Sequence, residues 1–335
     1  MYRLARPLLF QLPAEFTHHL GIAALRAYGA LLGAVLRDIE PLRGRPVEAM
    51  GLRFENPIGL AAGLDKDGRA LRGLAGLGFG FIEVGTVTPR PQPGNPKPRM
   101  FRYPQQQALI NRLGFNNLGV AALVKQLEAH RAKLPGTQVG VNIGKNKDTP
   151  LSSSVDDYVL GLRAVYPVAD YVTLNLSSPN TPGLRELQGA KEIAALLGAV
   201  TAQRDALAGQ QGRRVPIAVK IAPDLSDVAL RELAAVLLDL NADAVIATNT
   251  TITRPPELPE QAGGLSGSPL TELSVHVVDT LANQLQGRLP IIGVGGINSA
   301  ANARKFMDAG ADLVQIYTGL IYKGPKLVRQ LALLD

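Results

Sequence analysis

Polar side chains recur where apolar, strand-like runs end in this chain. Amides and hydroxyls can donate and accept hydrogen bonds, and amines can pair with anions. One or two such residues would be ordinary turn chemistry, but seven of eight runs end this way, which predicts a polar active-site mouth. The residues are Asp65 with Lys66, Thr86, Asn142, Asn175 with Ser178, Lys220, Thr248 with Asn249 and Thr250, and Tyr317 with Thr318.

The segment NLSSPNTPGL, residues 175–184, holds two serines, two asparagines and two prolines. Proline and asparagine favour turns, so a polar surface loop is one interpretation and a reactive hydroxyl is the other. A serine is a poor base without an activator such as histidine, and no histidine lies in the strand-end motifs. The glycine and proline content of 180–189 also predicts a lid that closes over a ligand.

Two lysines and two glycine-rich turns indicate a bound anion. Lys220 lies inside the apolar run PIAVKIAP, so it needs a partner, which is either a salt bridge or an electron-accepting cofactor. Lys66 in GLDKDG suits a substrate carboxylate or a pair with a neighbouring aspartate. GVGGI (293–297) and YTG (317–319) follow the last two runs, where barrels commonly bind phosphate on backbone N–H groups.

Eight short apolar runs alternate with stretches of helical spacing, such as 117–134 and 191–207. Near-continuous apolar runs are typical of parallel strands covered on both faces. The pattern favours an α/β fold, a (β/α)8 barrel, with a doubly wound sheet as the alternative. The runs are 58–65, 81–88, 138–144, 171–178, 216–223, 244–251, 290–297 and 313–320.

Two segments fall outside this repeat. Residues 89–104 are proline-rich and predict a long excursion after the second strand, of a kind that is usually functional or mobile. Residues 1–45 contain the apolar helical stretch LGIAALRAYGALLGAVL (20–36), which Arg26 interrupts, so it is too short to span a bilayer. With six arginines against three acidic residues, the segment suits an anionic membrane surface, or it packs on the barrel.

Composition excludes several classes of function. The chain has no cysteine, which removes disulfides, iron–sulfur clusters and thiolate chemistry, and its four histidines lack metal-ligand spacing. The net charge is +7, but the basic residues are spread along the chain, so we expect no metal site and no nucleic-acid partner. No clear signal-peptide cleavage site is present, so the expected location is peripheral, on the cytoplasmic face of the cell membrane.

Ten motifs together extend over essentially the whole chain. They are AAGLDKDG (61–68), EVGTVTPRPQPGNPKPR (83–99), INRLGFNNLG (110–119), NIGKNKD (142–148), LNLSSPNTPGLR (174–185), VKIAPDL (219–225), ATNTT (247–251), GGLSG (263–267), IIGVGGI (291–297) and QIYTGLIYKGP (315–325). With them the chain resembles the FMN-dependent dihydroorotate dehydrogenases, and among these the class 2, quinone-reducing, membrane-associated members. Class 1 relatives have cysteine where Ser178 stands and lack the N-terminal extension.

The resemblance implies a TIM barrel catalytic domain at 46–335, a helical quinone-access segment at 1–45, and one FMN per chain. It assigns FMN contacts, the last two near the phosphate, to Ala62, Gly63, Thr86, Asn142, Asn175, Lys220, Thr248, Gly267, Gly296, Tyr317 and Thr318. It assigns dihydroorotate contacts to Lys66, Asn111, Arg112, Leu113, Gly114, Phe115, Asn175, Asn180, Asn249 and Thr250.

The implied reaction is a two-electron oxidation in pyrimidine biosynthesis. Ser178 would remove a proton from C5 of dihydroorotate while the C6 hydride passes to N5 of FMN, with Asn180, Thr250 and water as the available proton path. A ubiquinone or menaquinone would then be reduced near His18 and Arg102, with His19 as the adjacent alternative. The oligomeric state stays open, a monomer included.

Three other functions are weighed against this reading. A tRNA dihydrouridine synthase would normally use a cysteine, which this chain lacks. A class 1 enzyme that passes electrons to fumarate or NAD conflicts with the serine and the extension. A catalytically inactive flavin-binding or membrane-docking module conflicts with the intact Ser178, Lys66 and asparagine set.

Overall fold

The computed structural model describes residues 2–36 and 38–334, without the side chain of Arg3. Arg37, one of the six N-terminal arginines, therefore lies outside the described residues. In these ranges the helices α1 to α11 are, in chain order, Tyr2–Leu9, Ala14–Val35, Leu71–Ala75, Val120–His130, Ser154–Val165, Ala190–Gln211, Asp227–Asp239, Thr271–Leu285, Ala300–Asp308, Thr318–Lys323 and Pro325–Ala332. The strands β1 to β13 are Val47–Ala49, Leu52–Phe54, Ile58–Leu60, Phe81–Val87, Met100–Tyr103, Ala108–Asn111, Gln138–Ile143, Tyr171–Asn175, Ile217–Ile221, Ala244–Ala247, Gly264–Gly267, Ile291–Val294 and Leu313–Ile316.

Eight parallel strands close into a barrel, in the order β10, β12, β13, β3, β4, β7, β8 and β9. Each of the eight apolar runs of the sequence supplies one of them, which confirms the (β/α)8 prediction and excludes the doubly wound sheet. Both faces of these strands are buried, because side chains on one face fill the barrel and those on the other pack under the helices. Serines cap two of the outer helices: Ser226 accepts from the Ala229 amide at the start of α7, and Ser299 from the Asn302 amide at α9.

Aromatic side chains fill the amino-terminal end of the barrel. Phe81 packs edge-on against Phe54 of the β1–β2 hairpin, with ring centroids 5.2 Å apart, so the hairpin closes this end. A Cβ atom at Gly59 would lie 2.2 Å from the Phe81 ring, and one at Gly140 would lie 2.1 Å from the Tyr171 ring. Glycine is required at both positions because the rings occupy that space. Access to the barrel interior is therefore from the carboxyl ends of the strands.

The proline-rich excursion ends in a strand. β5 (Met100–Tyr103) pairs antiparallel with β6, which pairs with β11, and this three-stranded sheet stands beside the barrel mouth. The sequence predicted only a long loop over 89–104 and, at 263–267, one of the family motifs. The sheet was missed because its strands are four residues long and because β11 lies far from β6 in sequence.

The first two helices pack on the barrel rim. A Cβ at Gly29 of α2 would lie 2.5 Å from the Gly73 backbone nitrogen, and one at Gly73 would lie 2.0 Å from the Leu25 carbonyl oxygen, so α2 and α3 meet backbone to backbone. Elsewhere α1 and α2 expose large apolar side chains to solvent: Leu4 is 82% exposed and Val35 is 76% exposed. In the described part of the chain, no helix combines the length and the apolar character needed to cross a membrane.

Candidate active site

The carboxyl ends of the barrel strands surround a cavity with a wall of polar side chains and glycine backbone. The barrel topology brings predicted residues from the first strand to the last together around it, as expected for parallel strands whose carboxyl ends share one face. The predicted residues that line it are Ala62, Gly63, Lys66, Thr86, Asn111, Leu113, Gly114, Phe115, Asn175, Ser178, Asn180, Lys220, Thr248, Asn249, Thr250, Gly267, Gly296, Tyr317 and Thr318.

Amides and hydroxyls at the mouth hold one another in fixed orientations. Thr86 Oγ1 donates to Asn142 Oδ1, and Asn175 Nδ2 donates to Thr86 Oγ1 at 2.8 Å. Asn249 Nδ2 in turn donates to Asn175 Oδ1 at 3.2 Å and to Ser177 Oγ at 3.0 Å. Asn142 thus lies one layer behind the cavity wall and orients the residues in front of it. Such a connected network presents preorganised donors and acceptors to a ligand.

A buried carboxylate lies beneath this network. Glu83 accepts hydrogen bonds from Asn142 Nδ2 at 2.8 Å, Gln315 Nε2 at 2.8 Å and the Tyr171 hydroxyl at 3.1 Å. Lys220 is also buried and lines the cavity; burial lowers the pKa of its amine, and the negative charge of Glu83 opposes that shift. The structure therefore places a buried lysine amine in the cavity wall, with the Glu83 carboxylate deeper in the barrel.

Glycine turns form the end of the cavity beyond the last two strands. Gly296 and Gly267 have φ angles of +78° and +99°, which side chains with a Cβ rarely adopt. A Cβ at Gly296 would lie 2.1 Å from Thr271 Oγ1, and one at Gly319 would lie 2.1 Å from the Ile297 carbonyl oxygen. The turns at 295–297 and 317–319 are therefore packed tightly together, with their backbone at the cavity surface.

Only one of the two adjacent serines faces the cavity. Ser178 lines it, is 6% exposed, and its Oγ accepts a hydrogen bond from the Asn180 amide at 3.2 Å. Ser177 is fully buried, and its hydroxyl is shared between Asn175 Oδ1 at 3.3 Å and Asn249 Nδ2 at 3.0 Å. The structure therefore makes Ser178 the hydroxyl available to a ligand.

Arg185 anchors the segment predicted as a lid. Its guanidinium donates to the carbonyl oxygens of Ser177 at 3.1 Å and Thr250 at 2.8 Å, and pairs with Asp224 at 2.8 Å. These contacts tie 180–189 to the loop after β10 at one point, within the 3-10 turn Leu184–Gln188. Closure of this segment over a ligand stays a prediction.

Lys66 faces the cavity free of its neighbouring aspartate Asp65. The Asp65 carboxylate instead accepts from the amides of Arg69 at 2.8 Å and Ala70 at 2.7 Å, ahead of α3. The Lys66 amine donates to Asn116 Oδ1 at 2.7 Å, and burial lowers its pKa to about 7. An anion beside this amine would restore the charged form, so the position suits a carboxylate.

Besides Asn142, which lies behind the wall, one predicted contact is not brought to the cavity. The Arg112 side chain turns away, donates to the Pro98 carbonyl oxygen at 2.9 Å and lies over the Phe101 ring, 5.3 Å from its centroid. Arg112 therefore braces the proline-rich excursion. Its neighbours on the same segment, Asn111 and Leu113, do line the wall.

A second, apolar cavity of about 700 Å³ lies between the N-terminal helices and the barrel rim. His18 and Arg102 are among its few polar residues, and the Arg102 guanidinium lies 4.6 Å from the centroid of the Phe10 ring. His19 does not line it; its exposed ring points to Glu15 at 4.0 Å. The apolar residues of the wall are Leu9, Phe10, Leu20, Ile22, Leu25, Leu64, Leu77, Met100, Leu109, Leu320 and Ile321.

The sequence profile of the family described as dihydroorotate dehydrogenase matches residues 46–333, which is most of the chain. The chain belongs to the dihydroorotate dehydrogenase family. Curated relatives named dihydroorotate dehydrogenase (quinone) place it with class 2 of this family. That of Azotobacter vinelandii is 55% identical over 336 residues, covering 98% of this chain and 95% of the relative. That of Pseudomonas aeruginosa is 55% identical over 334 residues, covering 98% and 96%.

Solved structures of this family superpose on the whole molecule. The dihydroorotate dehydrogenase of Eimeria tenella in complex with ferulenol aligns with a TM-score of 0.86 at 38% identity, over 95% of this chain and 89% of that one. The ligand-free form of the same protein aligns with a TM-score of 0.85 at 38% identity, over 95% and 92%. The likeness therefore extends over nearly the whole chain.

Several residues of this dehydrogenase site were missed from the sequence. Gly295, Ser266 and Gln315 line the cavity, and Ser266 Oγ shares a hydrogen bond of 2.8 Å with Thr318 Oγ1. Glu83 and Gln315 did leave a signal, because Glu83 is the one charged residue of β4 and Gln315 is the one polar residue of β13. Such a residue must find a buried partner.

Proposed function

We propose that this protein oxidises (S)-dihydroorotate to orotate and passes the two electrons to a membrane quinone, as a step of pyrimidine biosynthesis. The observation that carries the proposal is the pairing of two cavities in a family member. A polar pocket with Ser178 and Lys66 adjoins an apolar one with His18 and Arg102. Polar and apolar pockets side by side suit a charged pyrimidine substrate and a hydrophobic acceptor.

FMN fits the residues of the barrel mouth. The glycine turns at 295–297 and 317–319 offer backbone N–H groups to which a phosphate can bind. A Cβ at Gly296 or Gly319 would collide with Thr271 Oγ1 or the Ile297 carbonyl oxygen and force these turns apart. The buried Lys220 amine would provide positive charge to a bound flavin, which would favour its reduction. FMN held here would supply an acceptor for the C6 hydride of the substrate and a donor of electrons to the quinone.

The substrate residues hold a planar ring that bears a carboxylate. Lys66 pairs with the carboxylate, while the amides of Asn111, Asn175, Asn180 and Asn249 can satisfy the ring carbonyl and N–H groups. An analogue that lacks one of these polar groups would leave a buried hydrogen-bonding side chain of the site unpaired, so it should bind more weakly. The pocket therefore favours a pyrimidine carboxylate over a neutral pyrimidine.

Ser178 takes the proton from C5. The backbone N–H of Asn180 donates to one lone pair of Ser178 Oγ. This hydrogen bond orients the hydroxyl and leaves the other lone pair of Oγ for the substrate. As the C5 proton arrives, the hydroxyl proton of Ser178 leaves, and Thr250 and Asn180 line the same cavity to receive it by way of water. Once C5 has lost its proton and C6 has lost its hydride, the C5–C6 single bond becomes the double bond of orotate.

The N-terminal segment 1–45 forms the quinone entrance. The apolar cavity under α1 and α2 suits a ubiquinone or menaquinone, with His18 and Arg102 near the polar head group. The exposed Leu4, Leu8 and Val35 extend apolar surface outward, which supports peripheral contact with the cytoplasmic face of the membrane. Sedimentation with anionic and neutral vesicles tests that contact, and light scattering tests the oligomeric state, a monomer included.

An anaerobic visible spectrum of the FMN-loaded protein tests the proposed function. Dihydroorotate should bleach the flavin absorbance, and a short-chain ubiquinone should restore it, with one orotate formed per flavin. A spectrum that dihydroorotate leaves oxidised would overturn the substrate assignment. Bleaching that NAD or fumarate reverses while quinone does not would overturn the acceptor.

A further inference from the structure

Glu15, on the first turn of α2, forms an ion pair with a buried arginine of the proline-rich excursion. Arg99 Nε donates to Glu15 Oε1 at 3.1 Å and Arg99 NH2 donates to the same oxygen at 2.7 Å. The two side chains are 7% and 14% exposed, so solvent screens this pair little. Lys97 approaches the same carboxylate at 3.5 Å from an exposed position.

The same guanidinium shapes the loop beside the substrate pocket. Arg99 NH1 donates to the carbonyl oxygens of Pro93 at 2.7 Å and Asn95 at 2.9 Å. A Cβ at Gly94 would lie 2.8 Å from this NH1 atom and 2.3 Å from the Leu113 carbonyl oxygen. The loop 93–95 is therefore closed around the guanidinium.

Asn95 carries the connection to the catalytic loop. Its Nδ2 donates to the Asn180 carbonyl oxygen at 3.2 Å and to the Arg112 carbonyl oxygen at 3.1 Å. The Asn180 amide is the group that hydrogen-bonds Ser178 Oγ, at 3.2 Å. A continuous set of hydrogen bonds thus runs from α2 to the hydroxyl that faces the substrate.

We propose that Glu15 and Arg99 are positioning residues for dihydroorotate oxidation, so that the N-terminal helical segment shapes the substrate site as well as the quinone entrance. This inference rests on the proposed function. Each guanidinium nitrogen has a fixed direction, so the pair sets where the Pro93 and Asn95 carbonyls lie and thereby where Asn95 places Asn180. Coupling of this kind is reciprocal, so a ligand at Asn180 should also strengthen the docking of α2.

Flavin reduction measured by stopped flow, apart from quinone turnover, tests the proposal. Glu15→Ala should raise the dihydroorotate KM and slow flavin reduction by about 10-fold to 100-fold together, because small displacements of a reacting group are costly. Glu15→Gln retains an acceptor for Arg99 and should stay within about threefold of the parent protein, which a loss of general stability would not explain. Lys97→Met, next to the same carboxylate but exposed, is the matched control and should change neither quantity by more than about twofold.

A double-mutant cycle places the effect on the hydrogen-bond path. Asn95→Ala should also slow flavin reduction. In the double variant, the decrease should be smaller than the sum of the two single effects in free energy, because both residues act through Asn180. Orotate affinity and hydrogen exchange of the 180–183 amides supply readouts that need no turnover. If Glu15→Ala fails to retain flavin, Glu15→Asp, one methylene shorter, replaces it with the same expectation of a raised KM.

Two outcomes overturn the proposal. One is a Glu15 variant with unchanged dihydroorotate KM and flavin reduction but impaired quinone turnover, which would confine the helix to the acceptor side. The other is full additivity in the cycle with Asn95→Ala. A parent protein whose flavin is not reduced by dihydroorotate would instead overturn the proposed function, so the two failures are distinguishable.

Discussion

The barrel mouth and the N-terminal helical segment are built on opposite principles. At the mouth, Thr86, Asn142 and Asn175 are buried and bonded to one another, and each presents a defined donor or acceptor. The helical segment leaves Leu4 and Leu8 exposed and encloses an apolar cavity of about 700 Å³ with few polar groups. The barrel mouth presents hydrogen-bonding groups to a ligand, whereas the helical segment presents an apolar surface.

This difference matches the two ligands of the proposed reaction. A small polar ring with a carboxylate gains specificity from buried groups that must be satisfied, and proton removal needs them preorganised. A long apolar acceptor gains affinity from area and tolerates adjustment of the helices around it. Changes at the mouth should therefore cost far more than changes in the helices, and the predictions below test that order.

The largest effect is expected for Ser178→Ala. Removing the proposed base should slow flavin reduction by dihydroorotate about 10²-fold to 10⁴-fold, with the flavin still bound. The quinone step, started from dithionite-reduced protein, should be unchanged, and stopped-flow spectra separate the two. Ser177→Ala is the matched control, because its buried hydroxyl only orients Asn175 and Asn249; a loss equal to that of Ser178→Ala would contradict the assignment.

The pH dependence of substrate binding at Lys66 should be the next largest effect. Burial and, to a smaller extent, the charge of Arg99 lower the pKa of Lys66 to about 7, against the opposing effect of Asp67 and Glu15. The amine is thus charged below pH 7 and loses its charge as the pH rises. The dihydroorotate KM should be lowest below pH 7 and should rise by about tenfold per pH unit above it, since the carboxylate binds the charged form.

Lys66→Met provides the check on that profile. It should raise the KM at low pH and remove the rise, whereas Lys97→Met should retain the parent profile. A KM in Lys66→Met that still climbs above pH 7 would assign the titration to another group. Because kcat also reports proton removal, the KM is followed separately across the pH range.

The tight contact between α2 and α3 tests the helical region. Gly29→Val would place a side chain where a Cβ already lies 2.5 Å from the Gly73 nitrogen, so the C-terminal half of α2 should lift from the rim. Quinone turnover should fall by about tenfold, with flavin reduction falling less, because the Glu15–Arg99 pair at the other end of α2 still positions the substrate loop. Ala27→Val, at an exposed position of the same helix outside the apolar cavity, is the steric control for folding. Equal losses in both half-reactions of Gly29→Val would show that the two regions are one unit.

The barrel was predictable from sequence and much of its surroundings was not. Seven of the eight near-continuous apolar runs carry a polar residue at their end, a local pattern that identifies both the strand and its functional end. The β5–β6–β11 sheet has no such pattern, because Gly264 pairs with Asn111 although four barrel strands separate them in sequence. The Arg99–Glu15 pair joins residues 84 apart, and nothing near either residue marks its partner.

The predicted site residues also divide into those that the sequence could place and those that it could not. Residues at strand ends, such as Thr86, Lys220 and Thr248, follow from the barrel alone once the strands are placed. The direction of a loop side chain does not, which is why Arg112 was assigned to the substrate and lies instead against Phe101. Ser178 and Ser177 are adjacent, and only the structure shows which of them is enclosed by neighbouring amides.

The smallest effect is expected for pH at the quinone entrance. Desolvation and, to a smaller extent, His19 and Lys66 lower the pKa of His18 to about 4, against the opposing effect of Glu15. The ring is therefore neutral across the working range. The quinone KM should therefore vary by less than about twofold between pH 5.5 and 8 while the dihydroorotate KM changes by more. His18→Gln should raise the quinone KM at every pH, and His19→Gln, whose ring is exposed, should not. A quinone KM that rises steeply near pH 6.5 would mean that a protonated histidine binds the quinone. The helical region would then bind its ligand through charge, as the barrel mouth does.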